Sequence, residues 1–561
     1  MADRGEMAPG HLSKLTLELG RVSPERLRQR TSSIAHQAED HSGNFPKSPT
    51  GLAMLEHSPA MAQADAAMDF YLGALGAGPY QNACVFFGIV ALFTQELHYF
   101  LPEVVAVRPK FWCSGTNVSL GKQNPCLEPG TNNSCTSWEF NLRDRKVSIV
   151  SEWELVCGRA WWIERSSLTY TLGAIVGIIL AGILSDRFGR RTSLLICLLP
   201  MSAAGLSLSM ASSPYLYTVL RFCVAVFVTP IAVISTVLIS EVVAPRDLAV
   251  YVMAIQLGNS GASMALGWLH RTSAGWRFVI VIAMMPVLLL FFQFGSTSES
   301  PRWLVRTRDY NRAQRILLGA ARKNGLEAIR ALNLWTKARG RLENLETTSP
   351  KMKPRPMYWL LWATWRWTTV ILLTTWFTMG YVYYAVVLSY IRMTYVVFNF
   401  DVRGALGPPT LVLAYLLAET LGRRRSVAWA LAATGITAML AFYFAQLEDL
   451  MTVLALVGMG AINVAATQLP LLTLEQYPSA LRAASYCSAM FAGQLGALAA
   501  PFVRRQAISI GAYWPLFMIG LTSLTCGCML LALPATKFEG MMSAKEWDDD
   551  DQAAGHPPGH E

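Results

Sequence analysis

The sequence predicts an all-α membrane protein with twelve transmembrane helices in two six-helix halves. Three observations support this prediction: an apolar composition, twelve long apolar segments, and a charged motif that occurs twice. Of the 561 residues, 53% are hydrophobic and only 15% are charged, whereas soluble domains carry about a quarter charged residues. Most of the chain is therefore expected to lie in a lipid bilayer.

The twelve segments are apolar stretches long enough to cross a bilayer, which takes about 20 residues in a helix. The eighth is the weakest, because Asp401 and Arg403 interrupt it. These two residues either pair with each other or mark the true end of that span, and the second interpretation is favoured; an eleven-span count would place the C-terminus outside. The predicted spans are 82–102, 168–185, 192–211, 215–239, 250–269, 277–295, 367–389, 396–418, 426–445, 451–473, 484–503 and 513–533.

The basic residues predict the orientation, since short cytoplasmic loops are rich in Lys and Arg. Arginines follow spans two and eight, and the stretch 302–357 is rich in Arg and Lys. This pattern puts both termini in the cytoplasm and accounts for the net charge of +10 without nucleic acid. The expected organisation is a cytoplasmic tail 1–81, a first half 82–295 with an extracellular loop 103–167, a cytoplasmic helical linker 296–366, a second half 367–533 and a cytoplasmic acidic tail 534–561.

The predicted outer loop carries the features of an exposed, oxidised segment. Its sequons at Asn117 and Asn132 are the only ones in the chain, and glycosylation requires lumenal exposure. Four cysteines of the loop are disulfide candidates, and the three possible pairings stay open. A metal site is not expected, because the loop has no Cys-x-x-Cys pair and no histidine. The four cysteines are Cys113, Cys126, Cys135 and Cys157.

A repeated motif indicates an internal duplication. "GILSDRFGRR" (182–191) returns as "YLLAETLGRRR" (415–425), so that Asp186 and Glu419 are 233 residues apart. Glu241 and Glu475, each at the end of a later span, are 234 residues apart. Two six-span halves related in this way are typical of the major facilitator fold, in which substrate binds near the midplane between the halves.

The same motif predicts a gate. Gly189 permits a tight turn, and Asp186 lies where it can pair with arginines of neighbouring helices. The alternative is a plain basic anchor, but the full spacing and its copy favour the gate. The candidate gating residues are Asp186, Arg187, Gly189, Arg190, Arg191, Glu241, Glu419, Arg423, Glu475 and Arg482.

The chain resembles the organic cation/anion transporter family (solute carrier family 22-like) of the major facilitator superfamily. The resemblance rests on "MDFYLGALGAGPYQ" (68–81), "WELVC" (153–157), "GILSDRFGRR" (182–191), "SESPRWLVRTRDYNRAQRILLGAARKNG" (298–325), "LEQYPSALR" (474–482) and "LPATK" (533–537). Sugar porters share some of these motifs but lack the long cysteine-bearing loop. Glu419, Met459, Gln494 and Ala535 depart from the family pattern, which indicates an atypical member.

Eight residues within the spans are candidates for substrate binding, because buried polar and ionisable groups in a bilayer are costly unless they have a role. The resemblance implies that His98 matches a histidine of the anion branch and Arg221 the family's arginine. Gln494 stands where cation carriers have Asp and many anion carriers have Arg. A purely structural position near the membrane surface stays open for several of them. The set comprises Glu96, His98, Arg221, Trp376, Tyr381, Tyr384, Gln468 and Gln494.

The sequence therefore predicts a plasma-membrane carrier that moves small organic ions by alternating access, with anionic or zwitterionic solutes favoured. The alternative is a receptor or scaffold that keeps the transporter fold without transport, motivated by the departures from the family pattern. No catalytic motif or phosphate-binding loop is found, so neither an enzyme nor a cofactor is expected. The expected partners are the organic substrate and the lipid bilayer; the oligomeric state stays open.

Overall fold

A computed structural model describes residues 58–114, 126–127, 134–142, 147–272, 274–348, 366–393, 396–477, 479–511 and 513–533. The described residues between 61 and 533 belong to one compact unit, and each of the twelve predicted spans coincides with a helix or a pair of helices within it. In the part of the chain that the structure describes, eight helices are long and apolar enough to cross a membrane.

The first half contains six membrane-spanning segments built from eight helices. Span one is α2, spans two to four are α4, α5 and α6, span five is α7 with α8, and span six is α9 with α10. A helix α1 precedes them, and a short helix α3 lies between α2 and α4. The bounds are Ser58–Leu75 (α1), Pro79–Val105 (α2), Ile149–Glu152 (α3), Trp161–Phe188 (α4), Arg190–Ser209 (α5), Pro214–Val242 (α6), Leu248–Ala254 (α7), Leu257–Arg271 (α8), Trp276–Ala283 (α9) and Met285–Ser296 (α10).

Spans five and six are each divided, although their apolar patterns predicted continuous helices. The division of span six comes just before Pro286, whose missing N–H cannot continue the hydrogen bonds of the preceding turn. In span five the break at Ile255 and Gln256 comes just before Gly258. A Cβ at Gly258 would collide with the carbonyl oxygen of Ile89, so glycine lets α8 contact α2 directly.

The linker and the second half follow in the predicted order. Three helices form the linker, and one helix forms each of the six later spans, including the eighth, which is helical through Asp401 and Arg403. The bounds are Pro301–Arg306 (α11), Tyr310–Lys323 (α12), Ala328–Thr348 (α13), Arg366–Met393 (α14), Val396–Thr420 (α15), Arg423–Tyr443 (α16), Glu448–Glu475 (α17), Ser479–Ile510 (α18) and Trp514–Leu530 (α19).

Glycines allow neighbouring membrane helices to approach closely, as small residues do in lipid. In the second half, a Cβ at Gly380 of α14 would collide with the carbonyl oxygen of Gly493 of α18, and a Cβ at Gly496 with that of Phe377. In the first half, Gly173 of α4 lies in the same way against α6. These contacts fix the helices that surround the interior of each half.

The described part of the expected tail 1–81 begins with the helix α1, which packs on the linker. Tyr71 of α1 is buried and meets Trp335 of α13 edge to face, with ring centroids 6.1 Å apart. Arg302 of α11 pairs with Asp69 and lies 3.7 Å from Asp65, both on α1. Burial lowers the pKa of Arg302, but the two carboxylates outweigh it and hold that pKa above its usual value. The segment is therefore docked on the linker rather than free.

The segment between α2 and α4 defines one end of the molecule, here named the loop end; the end that carries α11 to α13 is named the linker end. A two-stranded antiparallel sheet of β1 (Phe111–Cys113) and β2 (Trp138–Phe140) lies in this segment. Disulfides join Cys113 to Cys135 and Cys126 to Cys157, which settles the pairing that the sequence left open. Asn117 and Asn132 lie outside the described residues.

The segment is held on the first half by Glu152. Its carboxylate accepts hydrogen bonds from Trp276 Nε1 at 2.6 Å and from both Arg277 terminal nitrogens at 2.5 and 2.7 Å. These hydrogen bonds from Arg277 lower the pKa of Glu152 below its usual value. The loop segment is thus anchored to the start of α9.

Candidate functional site

A central cavity of about 210 Å³ lies between the two halves. The first half contributes residues of α2, α6 and α8, together with Gln256 between α7 and α8. The second half contributes residues of α14, α15, α17 and α18. A cavity bounded by both halves is where the repeat pattern predicted the substrate site.

Helical periodicity explains which side chains face this cavity. On α14 the lining residues are Trp376, Met379, Gly380, Tyr383 and Tyr384, a spacing of i, i+3, i+4, i+7 and i+8 that marks one helix face. The lining residues of α2 follow the same spacing. They are Leu92, Gln95, Glu96, Tyr99 and Phe100.

One ion pair joins the two halves at the wall of the cavity. Arg403 Nη2 of α15 donates to Glu96 Oε1 of α2 and to the hydroxyl of Tyr383, which in turn lies 3.2 Å from Glu96 Oε1. The side chains of Arg403 and Glu96 are 5% and 14% exposed. Among the described residues that line the cavity, these two are the only charged ones.

This pair corrects the interpretation of the charges in span eight. Asp401 and Arg403 neither pair with each other nor end the helix. Asp401 pairs with Arg271 of α8, and Arg403 with Glu96. Each charge of span eight therefore has its partner on the other half, and such pairing makes charges in transmembrane helices tolerable.

Aromatic rings form the wall beside the ion pair. The Arg403 guanidinium lies over the rings of Phe100 and Tyr383, at 4.5 and 4.7 Å from their centroids. Tyr384 stacks on Phe100 with centroids 6.1 Å apart and meets Tyr99 edge to face at 4.7 Å. These faces can hold a cationic group by cation–π attraction.

The rest of the cavity wall is polar but neutral. Gln494 of α18 lines it, and its Oε1 is buried without a hydrogen-bond partner among the described residues. Trp376 Nε1 donates to Thr473 Oγ1 at 2.9 Å, which fixes the indole in the wall. Further amides and hydroxyls face the cavity: Gln95, Gln256, Asn259, Ser260, Ser263, Thr410, Asn463 and Thr467.

Four of the eight predicted binding residues do not line the cavity in this structure: His98, Arg221, Tyr381 and Gln468. Tyr381 follows Gly380 on α14 and lies off the cavity face, and Tyr383, which the sequence analysis left out, lies on it. Gln468 of α17 is fully buried, and its Nε2 donates to Ala414 O of α15 at 3.0 Å and to Ser426 Oγ of α16 at 2.7 Å. It joins helices within the second half.

His98 and Arg221 form a separate buried cluster inside the first half. Arg221 Nη1 donates to the backbone carbonyl of His98 at 2.9 Å, and its guanidinium lies 4.3 Å from the centroid of the Tyr170 ring. His98 falls between Glu96 and Tyr99 on α2, but its side chain is fully buried and does not line the cavity. This cluster holds α2, α4 and α6 together. Glu96, Trp376, Tyr384 and Gln494 remain on the cavity.

At the linker end, the repeated motif forms a buried charged cluster in the first half. Arg190 donates to Glu241 through Nε at 2.8 Å and Nη2 at 2.7 Å, and Asp186 accepts from Arg306 Nη2 at 2.9 Å. Glu299 accepts from the backbone amides of Arg190 and its neighbour Arg191, which begin α5. The motif, α6 and the linker are therefore joined at one place.

Gly189 is required at the turn within this cluster. Its φ of 86° is a conformation that favours glycine, and a Cβ would also collide with the carboxylate of Glu299. Arg187 is exposed and lies over the Phe188 ring at 5.3 Å. Arg187 is therefore the member of the motif that remains outside the buried cluster.

In the second half, the corresponding cluster contains fewer ion pairs among the described residues. Arg423 Nε lies 3.2 Å from Glu475 Oε1, and Glu419 is exposed. Arg482 of α18 donates to the carbonyl of Ser240 on α6 at 3.2 Å, so it connects the two halves at the linker end. The cluster thus differs between the halves, as the change from Asp-Arg to Glu-Thr in the motif indicated.

Besides Tyr383, three charged residues at these sites were not predicted from the sequence as site residues. Glu299 lies in the quoted "SESPRWL" motif. Its position just before a helix that begins with Pro301 could have indicated a role at this site. Arg306 follows in the same segment. Arg403 was noticed as a charge, but nothing in the sequence connects it to a partner on α2.

Comparisons with known proteins agree with this architecture. The model of the Major Facilitator Superfamily matches residues 166–501. The chain belongs to the Major Facilitator Superfamily. It is accordingly a multi-pass membrane protein, and the fold predicted from the repeat is confirmed.

The relatives in sequence are named as members of solute carrier family 22 and as an organic anion transporter. Solute carrier family 22 member 7 of Bos taurus is 28% identical over 438 residues, which cover 76% of this chain and 77% of the relative. Organic anion transporter 3 of Homo sapiens is 27% identical over 420 residues, covering 73% and 74%. Solute carrier family 22 member 3 of Rattus norvegicus is 25% identical over 408 residues, covering 72% of each. The resemblance seen in the motifs is thus confirmed.

Solved structures share the fold. The xylose transporter XylE from E. coli, in a partially occluded inward-open conformation, aligns with a TM-score of 0.56 at 16% identity, covering 82% of this chain and 98% of that one. The human organic anion transporter MFSD10 (TETRAN) aligns with a TM-score of 0.53 at 13% identity, covering 81% and 100%.

Proposed function

We propose that this protein carries small organic ions, with zwitterions and anions favoured, across the plasma membrane by alternating access. The observation that supports this most is the central cavity, whose wall combines one ion pair, aromatic faces and neutral polar groups from both halves. Two of the sequence relatives are named as an organic anion transporter and an organic cation transporter-like protein, which supports organic ions as the solute class.

Contacts between the halves at both ends support a gated carrier. At the loop end Glu96 pairs with Arg403 and Asp401 with Arg271; at the linker end Arg482 bonds to α6. Alternating access requires that one set of contacts opens while the other holds. The clusters around Asp186 and around Glu475 would then act as the gate at the linker end.

The proposed orientation puts the loop end outside the cell and the linker end, with both termini, in the cytoplasm. The disulfides of the loop segment fit an oxidising exterior. Glycans at Asn117 and Asn132 would follow. Enzymatic deglycosylation of surface protein should increase its gel mobility, and single substitutions of each asparagine should divide that shift. Unchanged mobility would contradict the use of both sites.

Uptake into proteoliposomes tests the proposed function. The purified protein should give saturable, time-dependent accumulation of at least one member of a panel of organic anions, cations and zwitterions. Asn463→Trp serves as the control. It places a large ring in the cavity and leaves the charged clusters around Asp186 and Glu475 unchanged. If the purified protein is monodisperse and reaches the cell surface when expressed, but transports no member of the panel, the receptor or scaffold alternative is favoured instead.

A further inference from the structure

The bridge of Glu96, Arg403 and Tyr383 has features that a purely structural ion pair does not need. It lies on the wall of the central cavity rather than between packed helices. It joins α2 of the first half to α14 and α15 of the second. A group that inserts between its charges therefore meets both halves at once.

The bridge leaves a hydrogen-bonding site open. Arg403 uses Nη2 for both Glu96 and Tyr383, while its Nη1 is buried without a hydrogen-bond partner among the described residues. A buried donor left unpaired is destabilising, and more so when the group is charged. An anionic oxygen in the cavity can satisfy it, which makes Nη1 a binding point for a carboxylate.

The other side of the bridge suits a cation. Glu96 supplies a carboxylate 3.2 Å from the Tyr383 hydroxyl, and the rings of Tyr99, Phe100 and Tyr384 pack together in the same wall. At present the Arg403 guanidinium occupies the aromatic faces. A ligand ammonium group can take the same kind of place beside Glu96 once the guanidinium turns to an anionic partner.

Charge balance then selects the ligand. The described lining residues carry one positive and one negative charge, so the cavity wall is neutral. A singly charged solute would bring an uncompensated charge into a site of low dielectric, which is unfavourable. When a zwitterionic solute binds, the ion pair between Glu96 and Arg403 is replaced by two ion pairs with the solute, and the net charge of the cavity does not change.

We propose that Glu96 and Arg403 form a two-point site for zwitterionic organic solutes, with the anionic group on Arg403 and the ammonium group between Glu96 and the aromatic wall. This inference rests on the proposed transport function and names its substrate class. It moves charge selection away from Gln494, which supplies neutral hydrogen bonds to the remainder of the solute. Binding also parts the bridge between α2 and α15, so it weakens one contact between the halves at the loop end.

Three matched probes test the site. They are 3-(trimethylammonio)propanoate, which is a zwitterion, its methyl ester, which is a cation, and 4,4-dimethylpentanoate, which is an anion of the same shape. Dissociation constants are measured with the full-length protein in detergent by ligand-induced thermal stabilisation. The zwitterion should bind at least about tenfold more tightly than either ion, since about 1.4 kcal/mol corresponds to tenfold. Equal or weaker binding of the zwitterion by the native protein overturns the inference.

Variants identify the residues. Glu96→Gln should shift the preference to the anion, Arg403→Gln should shift it to the cation, and the exchange of Glu96→Arg with Arg403→Glu should restore preference for the zwitterion. Asp401→Asn is the matched control, because it breaks the other bridge between the same halves, outside the cavity, and should leave the order unchanged. If both single variants keep the native order, the pair does not select charge.

Uptake of the same probes separates this inference from the proposed function. Zwitterion binding that follows the expected order without any uptake supports the site and contradicts transport. Uptake whose charge preference ignores both Glu96 and Arg403 supports transport and overturns the site. Neither binding nor uptake of any probe overturns both.

Discussion

Removal of the Glu241 carboxylate should cost about 3 kcal/mol of the free energy of unfolding. Arg190 is fully buried and Glu241 is 2% exposed, and two hydrogen bonds of 2.7 and 2.8 Å join them. Breaking a buried pair on one side typically costs 3–5 kcal/mol, because the remaining charge is left uncompensated. We expect the lower end of this range for Glu241→Gln, because Arg190 keeps its hydrogen bond to the Ser185 carbonyl at 2.9 Å and its ion pair with Asp186 at 3.5 Å.

The assay is a denaturant titration of the protein in mixed micelles, followed by tryptophan fluorescence. Glu343→Gln is the matched control: its pair with Arg339 has a similar 2.7 Å distance but is exposed, so the loss should stay below about 1 kcal/mol. Replacing the whole pair by Arg190→Met with Glu241→Leu should recover most of the stability. A loss for Glu241→Gln no larger than that for Glu343→Gln would refute the buried-pair argument.

Three further predictions concern the packing, the loop segment and the gate. Gly380→Ala should lose about 1–3 kcal/mol by overpacking α14 against α18, whereas Gly319→Ala, with open space around it, should lose nothing in the same titration. Arg277 lowers the pKa of Glu152, so their contact stabilises the protein above the usual glutamate pKa of about 4.3 and is lost as the pH falls through the lowered pKa. The apparent Tm of Glu152→Gln should therefore fall less on acidification than the apparent Tm of the native protein. Equal falls in Tm would contradict this. Asp186→Asn should slow transport while substrate binding stays measurable, since the charge bridge to the linker is lost far from the cavity; unchanged turnover would favour a plain anchor.

The elements of the fold were predictable because lipid imposes a simple rule on sequence. Every backbone polar group in a bilayer must be satisfied within a helix, so long apolar segments become helices and their positions can be read directly. The recurrence of the motif near Asp186 and Glu419 then indicated two halves. The helix breaks at Gln256 and Met284 were not predicted, because apolar character alone does not show where a helix is interrupted.

The cavity was only partly predictable, because a list of polar residues does not give the rotation of each helix. Gln468 directly follows Thr467, yet Thr467 faces the cavity and Gln468 faces α15 and α16. The spacing on α14 that begins at Trp376 would have found Tyr383 and rejected Tyr381. The partner of Arg403 lies 307 residues away, and no local pattern in one sequence reports such a contact.

Untargeted mass spectrometry of the solutes that cells accumulate tests whether this protein is a carrier of zwitterions. Cells that express the native protein are compared with cells that express Asn463→Trp at the same surface level. Solutes that accumulate only with the native protein should carry both a cationic and an anionic group, and Glu96→Gln or Arg403→Gln should abolish their enrichment. No difference between the native protein and the cavity-filled variant would contradict transport, and enrichment of singly charged solutes alone would contradict the two-point site.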